Sequence, residues 1–424
     1  MRDIFKLVID GLIERQEKST EQVIKEFRKI VPSQDWGLFQ ILFFGVLDWQ
    51  SHLVTILGSF SSMRISKFGK RNLYLLLVAI YGILYLDKPN HAIVNEAVEL
   101  MKTQNKRLVS MTNGILRNII REKDLDKRVY GKMTLRQVLI KKYDYPVETI
   151  ELFLEELGQE ETIKLLEASK AIPRLDFLVL GSEEECLELL EEEGHEFEKL
   201  GLERAYTMLK NNKPLERIRA YKRGRIYYQS LNSQRVASFV PEGDNFLDLC
   251  GAPGGKSFAL LARDPNRQVT ICDLTQSKLD IVEENAQRLS LKMDIRRWDA
   301  SDFNQEWERA FSSVLVDAPC SGTGVLHRQR GESRLKKLDD LDELIELQEK
   351  ILNQAARYVD NHGFLIYSTC SILRGENEDQ VEKFLSKHPD FSIVRSGAFA
   401  GDYFRTMPWD GEDGFFACVM ERSL

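Results

Sequence analysis

Residues Phe246–Ser257 read F-L-D-L-C-G-A-P-G-G-K-S, an apolar run that stops in a Gly/Pro-rich turn before Phe258–Ala262 resumes at helical spacing. Strand, tight turn and helix in that order form the unit on which doubly wound α/β proteins hold nucleoside-bearing ligands. Gly251, Gly254 and Gly255 let the backbone approach a ligand closely, and a helix N-terminus offers free N–H groups. Two familiar phosphate motifs fail here. A Walker A loop needs a glycine five places before the glycine of G-K-S, and that position is Cys250. The dinucleotide G-x-G-x-x-G fails on spacing.

From Gln234 onward, apolar β runs alternate with helical patterns. The spacing predicts strands at Phe246–Cys250, Gln268–Cys272, Asp294–Trp298, Ser313–Val316 and Phe364–Tyr367. It predicts helices at Lys256–Arg263, Thr275–Leu289, Leu338–Val359 and Glu376–Lys387. Such alternation implies an α/β fold, a mostly parallel sheet with helices on both faces. Ligands of these sheets lie beyond the strands' carboxyl ends, where Asp248, Asp273, Asp299 and Asp317 fall. Asp273 stands 25 residues past Asp248, as suits a carboxylate taking ribose hydroxyls. The competing role, capping the helix that follows Asp-Leu-Thr, is the less favoured because the glycine loop comes first.

Residues 1–125 show helical periodicity throughout and almost no alternation, so they are expected to form an all-α bundle with helices including Asp35–Leu57, Asn72–Leu86, His91–Lys102 and Leu108–Arg121. Residues 126–233 read as a connecting region, helical and then short β, and 234–424 as the α/β domain. The net charge of −7 conceals an asymmetry: residues 1–150 carry +8 and residues 151–200 carry −12. A basic front suits a polyanion and reads equally as solvated helix faces; Arg64, Lys67, Lys70 and Arg71 form its densest cluster. Glu183–Glu198 reads as a solvated acidic helix or loop. Arg217–Arg225, which includes Arg223 and Arg225, reads equally as an RNA-facing run or as a basic β-hairpin.

No apolar stretch approaches the roughly 20 residues of a membrane span, and the N-terminus lacks signal-peptide character, so a cytoplasmic location with no membrane partner is expected. The six cysteines form no C-x-x-C and no zinc pattern, which argues against a metal. Cys320, in V-D-A-P-C-S-G-T-G, and Cys370, in Y-S-T-C-S, each follow an apolar run and stand just beyond it. That placement favours reactive thiols over core filler.

A-P-G-G-K, D-A-P-C-S-G-x-G and S-T-C-S, in that order and each at an expected strand end, resemble the bacterial Sun/RsmB-type ribosomal RNA cytosine-C5 methyltransferases. Asp413–Ala417 (D-G-F-F-A) fits the family's last strand. Upstream, R-N-L-Y-L-L-L-V-A-I-Y-G-I-L-Y, P-N-H-A-I-V-N-E-A-V-E-L and T-N-G-I-L-R-N-I-I-R resemble its NusB-like RNA-binding domain. The resemblance implies a Rossmann-like sheet that binds S-adenosylmethionine through Cys250, Gly251, Ala252, Pro253, Gly254, Gly255, Lys256, Asp273, Asp299 and Asp317. It implies that Cys370 attacks cytosine C6 and that Cys320 assists product release. Asp317 would bond the N3/N4 edge of the base, and Lys256 would face the base or the thiolate. The implied partner is RNA, most of all small-subunit ribosomal RNA, bound by a monomer.

Two departures stand out. After Gly324 the family's Arg-rich stretch with Pro-Asp and Trp is replaced by H-R-Q-R-G-E-S-R (His327–Arg334), in which His327, Arg328 and Arg330 remain available to RNA phosphates. Cys-Gly-Ala replaces the commoner Cys-Ala-Ala at 250–252. Two rivals keep part of this expectation: the same chemistry on transfer RNA, and a non-catalytic RNA-binding assembly factor. Retention of both cysteines and all four acids weighs against the second.

Overall fold

A computed structural model describes residues 2–332, 336–395 and 401–423; Arg334 of the His327–Arg334 stretch lies outside them. The chain forms two compact units, Met1–Lys170 with Gln329–Lys337, and Ala171–Arg328 with Leu338–Leu424.

The first unit is all helical. Its middle is the helix Lys70–Tyr85, in which every residue from Tyr74 to Gly82 is buried, as expected of a helix that is apolar all round. The helices Arg2–Glu14, Thr20–Phe27, Asn90–Gln104 and Val109–Arg121 pack their apolar stripes into the same core. Asp35–Leu57 is not one helix. It divides into Trp36–Asp48 and Gln50–Phe60, bent by 77°. Both pieces bury apolar side chains in this one core, and the bend at Trp49 lets both turn those faces inward. At the same corner the buried Asp48 accepts Arg330 Nε at 2.9 Å and Gly331 N–H at 2.6 Å.

The second unit begins with a four-stranded antiparallel sheet, starting inside the region 126–233 that was expected to be helical before any short β. Its strands are β1 (Asp176–Val179), β2 (Glu196–Lys199), β3 (Ala205–Lys210) and β4 (Ile226–Tyr228), in the order β2-β3-β1-β4. The reason is visible in β1. Phe177 and Val179 enter one core cluster while Leu178 enters another. A strand buried on both faces shows no alternation and cannot be told from buried helix by periodicity. The acidic stretch is also not simply solvated: Glu185 pairs with Arg225 at 2.9 Å, Glu192 with Arg219 at 2.7 Å, and Glu193 with Lys213 at 2.7 Å. The basic run is a 3-10 turn and a short helix (Arg219–Lys222) leading into β4, not a β-hairpin.

The main sheet contains β5 (Asn245–Asp248), β6 (Gln268–Asp273), β7 (Asp294–Arg297), β8 (Phe311–Asp317), β9 (Val359–Thr369), β10 (Phe391–Ile393), β11 (Phe404–Thr406) and β12 (Phe415–Arg422). The order is β10-β12-β9-β8-β5-β6-β7, with β11 beside β12. The strands from β9 across to β7 are parallel and β12 is antiparallel to β9. Alternate residues of β8 serve opposite faces: Val314 and Val316 join Ile351 and Phe384, whereas Leu315 joins Leu260 and Leu261. Helices therefore cover both faces, as the sequence pattern implies. Chain order reverses at β5, which lies between β6 and β8, and that reversal opens the crevice where such sheets bind ligands.

No single helix among the described residues is long and apolar enough to cross a membrane.

Candidate active site

Two cavities open at the carboxyl ends of the parallel strands, and Ala252 and Asp317 line both. The first, of about 350 Å³, is bounded by Cys250, Asp273, Leu274, Asp299, Pro319 and Ile351. Two of its acids, Asp273 and Asp299, are held alike. Asp273 Oδ1 accepts Thr275 N–H at 3.1 Å, and Asp299 Oδ1 accepts Ser301 N–H at 2.9 Å and Ser301 Oγ at 2.7 Å. Asp273 thus does bind the backbone just ahead of its helix, yet each acid has a second oxygen with no hydrogen bond from the described residues. Two acceptors among apolar side chains fit a nucleoside, with hydroxyl and amine donors at its edges and a flat apolar body between.

The second cavity, of about 270 Å³, brings Cys370, Lys256 and Asp317 together with Tyr227, Gln229 and Phe415. Of the glycine loop, Gly251, Pro253 and Gly255 border this cavity and Cys250 the first. Gly254 borders neither. It turns the chain at φ +101°, with the Phe258 ring 2.4 Å from where a Cβ would be, so no other residue fits there. Beneath the loop, Asp248 is fully buried. Ser257 Oγ donates to its Oδ2 at 2.7 Å, Oδ1 has no donor, and burial pushes its carboxyl up to about 7.

Lys256 Nζ lies 2.5 Å from Asp317 Oδ2, and Ser368 Oγ donates to Oδ1 at 2.9 Å. Cys320 lines neither cavity; its Sγ stands 3.3 Å from Cys370 Sγ. The bond to Cys370, and then burial, hold the Cys320 thiol well above its ordinary pKa, so Cys320 keeps its proton at neutral pH. The other four cysteines are free, and burial raises each of their thiols too. None of the four stands against another cysteine in this way.

The loops that carry the motifs are joined by backbone bonds. Gly324 N–H donates to Cys370 O at 2.9 Å, and Gly414 N–H donates to Gly324 O at 2.8 Å. A Cβ on Gly324 would stand 2.2 Å from Gly414 O. Asp413, in the same D-G-F-F-A stretch, pairs with His327 Nε2 at 3.0 Å and Arg328 Nε at 2.8 Å. Burial alone would raise its carboxyl, but these two neighbours outweigh burial and hold it below the usual range.

The residues expected to meet RNA are dispersed. Arg64, Lys67, Lys70 and Arg71 are exposed in the helical unit, where Lys70 bonds Gln16 and Arg71 pairs with Asp10. Arg223 is exposed. Arg225 is tied to Glu185. Arg328 borders the second cavity. Arg330 is held by Asp48 and lies over the Phe44 ring, 5.2 Å from its centroid, which makes it a packing residue of the helical unit. Sequence reasoning does not single out Tyr227 or Gln229 as cavity wall, and it misses Glu376.

A family model described as 16S rRNA methyltransferase RsmB/F matches residues 239–421, and the NusB family model matches residues 4–121. Ribosomal RNA small subunit methyltransferase B of Klebsiella pneumoniae (strain 342) is 30% identical over 98% of this chain and 96% of its own. The chain belongs to the RsmB/F methyltransferase family. The enzyme of the same name from Cronobacter sakazakii is 29% identical, again over 98% of this chain. Among solved structures, PH0851 superposes over 100% of the chain with a TM-score of 0.74 at 22% identity. NSun6 from Pyrococcus horikoshii, solved with SFG, covers 66% of the chain with a TM-score of 0.58 at 18% identity. These two neighbours share the fold. As a member of the RsmB/F family the protein is an S-adenosylmethionine-dependent methyltransferase, with a NusB-like front and a Rossmann-like rear. Its first cavity has the donor-hungry acids and apolar walls that the nucleoside of that cofactor requires. No group of three or more potential metal ligands occurs among the described residues.

Proposed function

We propose that this enzyme forms 5-methylcytosine in 16S ribosomal RNA through a covalent bond between Cys370 and C6 of the target base. The observation that carries this reading is the pair of thiols 3.3 Å apart, one of them bordering a cavity that shares Ala252 and Asp317 with the first cavity, which this reading gives to the cofactor. Cytosine C5 is too weak a nucleophile to act unaided. Addition of the Cys370 thiolate to C6 places electron density on C5. S-adenosylmethionine supplies the electrophilic methyl that C5 then accepts. Asp317, held by Lys256 and Ser368, faces the N3/N4 edge of the base and stabilises the charge that develops on attack. Loss of the C5 proton to a base expels the Cys370 sulfur, and Cys320, which holds its proton, assists that release. The base has to leave its stack to enter so narrow a cavity.

The names of the curated relatives support the small ribosomal subunit as the source of the RNA. Asp273 and Asp299 would take the ribose and adenine donors of the cofactor, and the A-P-G-G-K loop would lie along its amino-acid end. Arg328, at the rim of the second cavity, and the exposed Arg64, Lys67, Lys70, Arg71 and Arg223 are the RNA contacts this reading favours. The test is incubation with methyl-labelled S-adenosylmethionine and, separately, 16S ribosomal RNA and transfer RNA, followed by mapping of modified cytosines. Label at C5 of a 16S cytosine is expected. Label on transfer RNA alone would move the substrate, and no label on either RNA would remove the catalytic reading.

A further inference from the structure

Glu376 belongs to neither cavity, yet it is fully buried, and its carboxylate takes bonds from both reactive loops and from one helix beside them. Oε1 accepts Ser321 N–H at 2.8 Å and Gln348 Nε2 at 3.0 Å. Oε2 accepts Ser321 Oγ at 2.5 Å and also Ser371 Oγ. Ser321 directly follows Cys320, and Ser371 directly follows Cys370. Gln348 donates as well to the carbonyl of Pro319, the residue before Cys320, at 2.9 Å. Tyr367 OH donates to the backbone carbonyl of Glu376 at 2.7 Å, so the acid is itself anchored to β9. One carboxylate therefore joins the loop after β8 to the loop after β9 at the residue next to each thiol.

We propose that Glu376 is a positioning residue that sets the spacing of the Cys370 nucleophile and the Cys320 proton carrier. The proposal rests on the roles assigned above to those two thiols. Gly324 N–H on Cys370 O and Ile372 N–H on Thr323 Oγ1 also tie the two loops, farther along each chain, but Glu376 is the carboxylate on which the residues directly after both thiols converge. Four donors converge on two oxygens of a fully buried side chain, where charge-assisted bonds are at their strongest. An amide at this position has one acceptor where the carboxylate has two, so it satisfies the serines less well. An alanine satisfies none of the donors.

The proposal predicts a graded loss. Glu376→Gln lowers kcat by about 10-fold and Glu376→Ala by roughly 100-fold, the scale expected when a reacting group is displaced by about an ångström. KM for both RNA and S-adenosylmethionine stays within about twofold, because Glu376 touches neither. Covalent RNA adduct formation, read in a Cys320→Ala background, slows in the same proportion. A second measurement needs no RNA: diamide accepts two electrons and two protons from neighbouring thiols, leaving a disulfide. Formation of the Cys320–Cys370 disulfide in the full chain should slow in the Glu376 variants. If Glu376→Ala fails to fold, Gln348→Ala, which removes an outer arm of the network, should show a smaller loss of the same kind. Wild-type kcat in a folded Glu376→Gln, or a rise in KM with kcat unchanged, overturns the proposal. Should the wild-type enzyme transfer no methyl group, the assignment of the thiols fails. The disulfide rates then still decide the clamp: equal rates in wild type and variant reject it.

Discussion

Lys256 and Asp317 form an ion pair of 2.5 Å between the helix that begins at Gly255 and the end of β8, at the wall common to both cavities. The lysine is nearly buried, while the carboxylate keeps a third of its surface open to the cavities. The pair thus fixes a negative group and its cation together on the wall of the second cavity, where the proposed reaction places the base. Replacing Lys256 by Met keeps the length of the side chain and removes the charge. Methyl transfer should fall by roughly 100-fold or more, the usual effect of losing one preorganised electrostatic contact. Cofactor affinity, measured by equilibrium binding, should change only a few fold. Transfer within threefold of wild type would show that the pair is merely structural.

The two thiols should separate cleanly in trapping experiments. Cys370→Ala should form no covalent RNA complex on denaturing gels, whereas Cys320→Ala should accumulate one. The reverse pattern would exchange their roles. The stated assignment is favoured by position: Cys370 borders the second cavity, and Cys320 lines neither.

Asp248 gives the unliganded protein a distinctive pH response. Its carboxyl rises from 3.8 to about 7 on folding, because burial disfavours the charge. The folded state then holds a proton that the unfolded state has released, so stability falls as pH rises from about 4 to about 7. The slope is at most about 1.4 kcal/mol per pH unit. Asp248→Asn keeps an acceptor for Ser257 and lacks the ionisation. Denaturant titrations across this window should show the variant gaining on wild type as pH rises, and parallel curves would contradict the assignment.

In the helical unit, Asp48→Ala leaves Arg330 and the Gly331 N–H without their buried acceptor. The expected cost is about 3–5 kcal/mol of unfolding free energy. Asp48→Asn, which still accepts from Gly331, should lose less. Chemical denaturation of the full chain, followed by tryptophan emission, reads both.

Gly324→Ala places a methyl group against the carbonyl of Gly414, in space that does not exist. Overpacking of this kind costs roughly 1–3 kcal/mol. Here the strain falls on the backbone bond that ties Gly324 to Cys370, so activity should drop further than stability does. Comparing kcat with the melting temperature tests the point.

The glycine loop and the strand-end acids are legible in the sequence because turn chemistry and position at a strand end are local properties. Cys320 and Cys370 are legible for the same reason, each standing one step beyond an apolar run. Their mutual distance is not, since 50 residues separate them and only the pairing of β8 with β9 closes that gap. Glu376 is invisible for a related reason. In L-R-G-E-N-E it looks like an exposed acid at a helix start, and its burial depends on Ser321 and Gln348, which are distant in sequence. The bend at Trp49 and the strand β1 escape notice because continuous burial erases the periodicity on which such inference depends.

Arg330 and Gly331 complete the helical unit although their codons lie deep within the stretch that encodes the other one. A recombination event that exchanged only the first 170 codons would deliver a bundle separated from its own Arg330 and Gly331, with a carboxylate sealed inside and nothing to answer it. A front half taken from a distant relative would therefore have to bring its own partners for Asp48 with it.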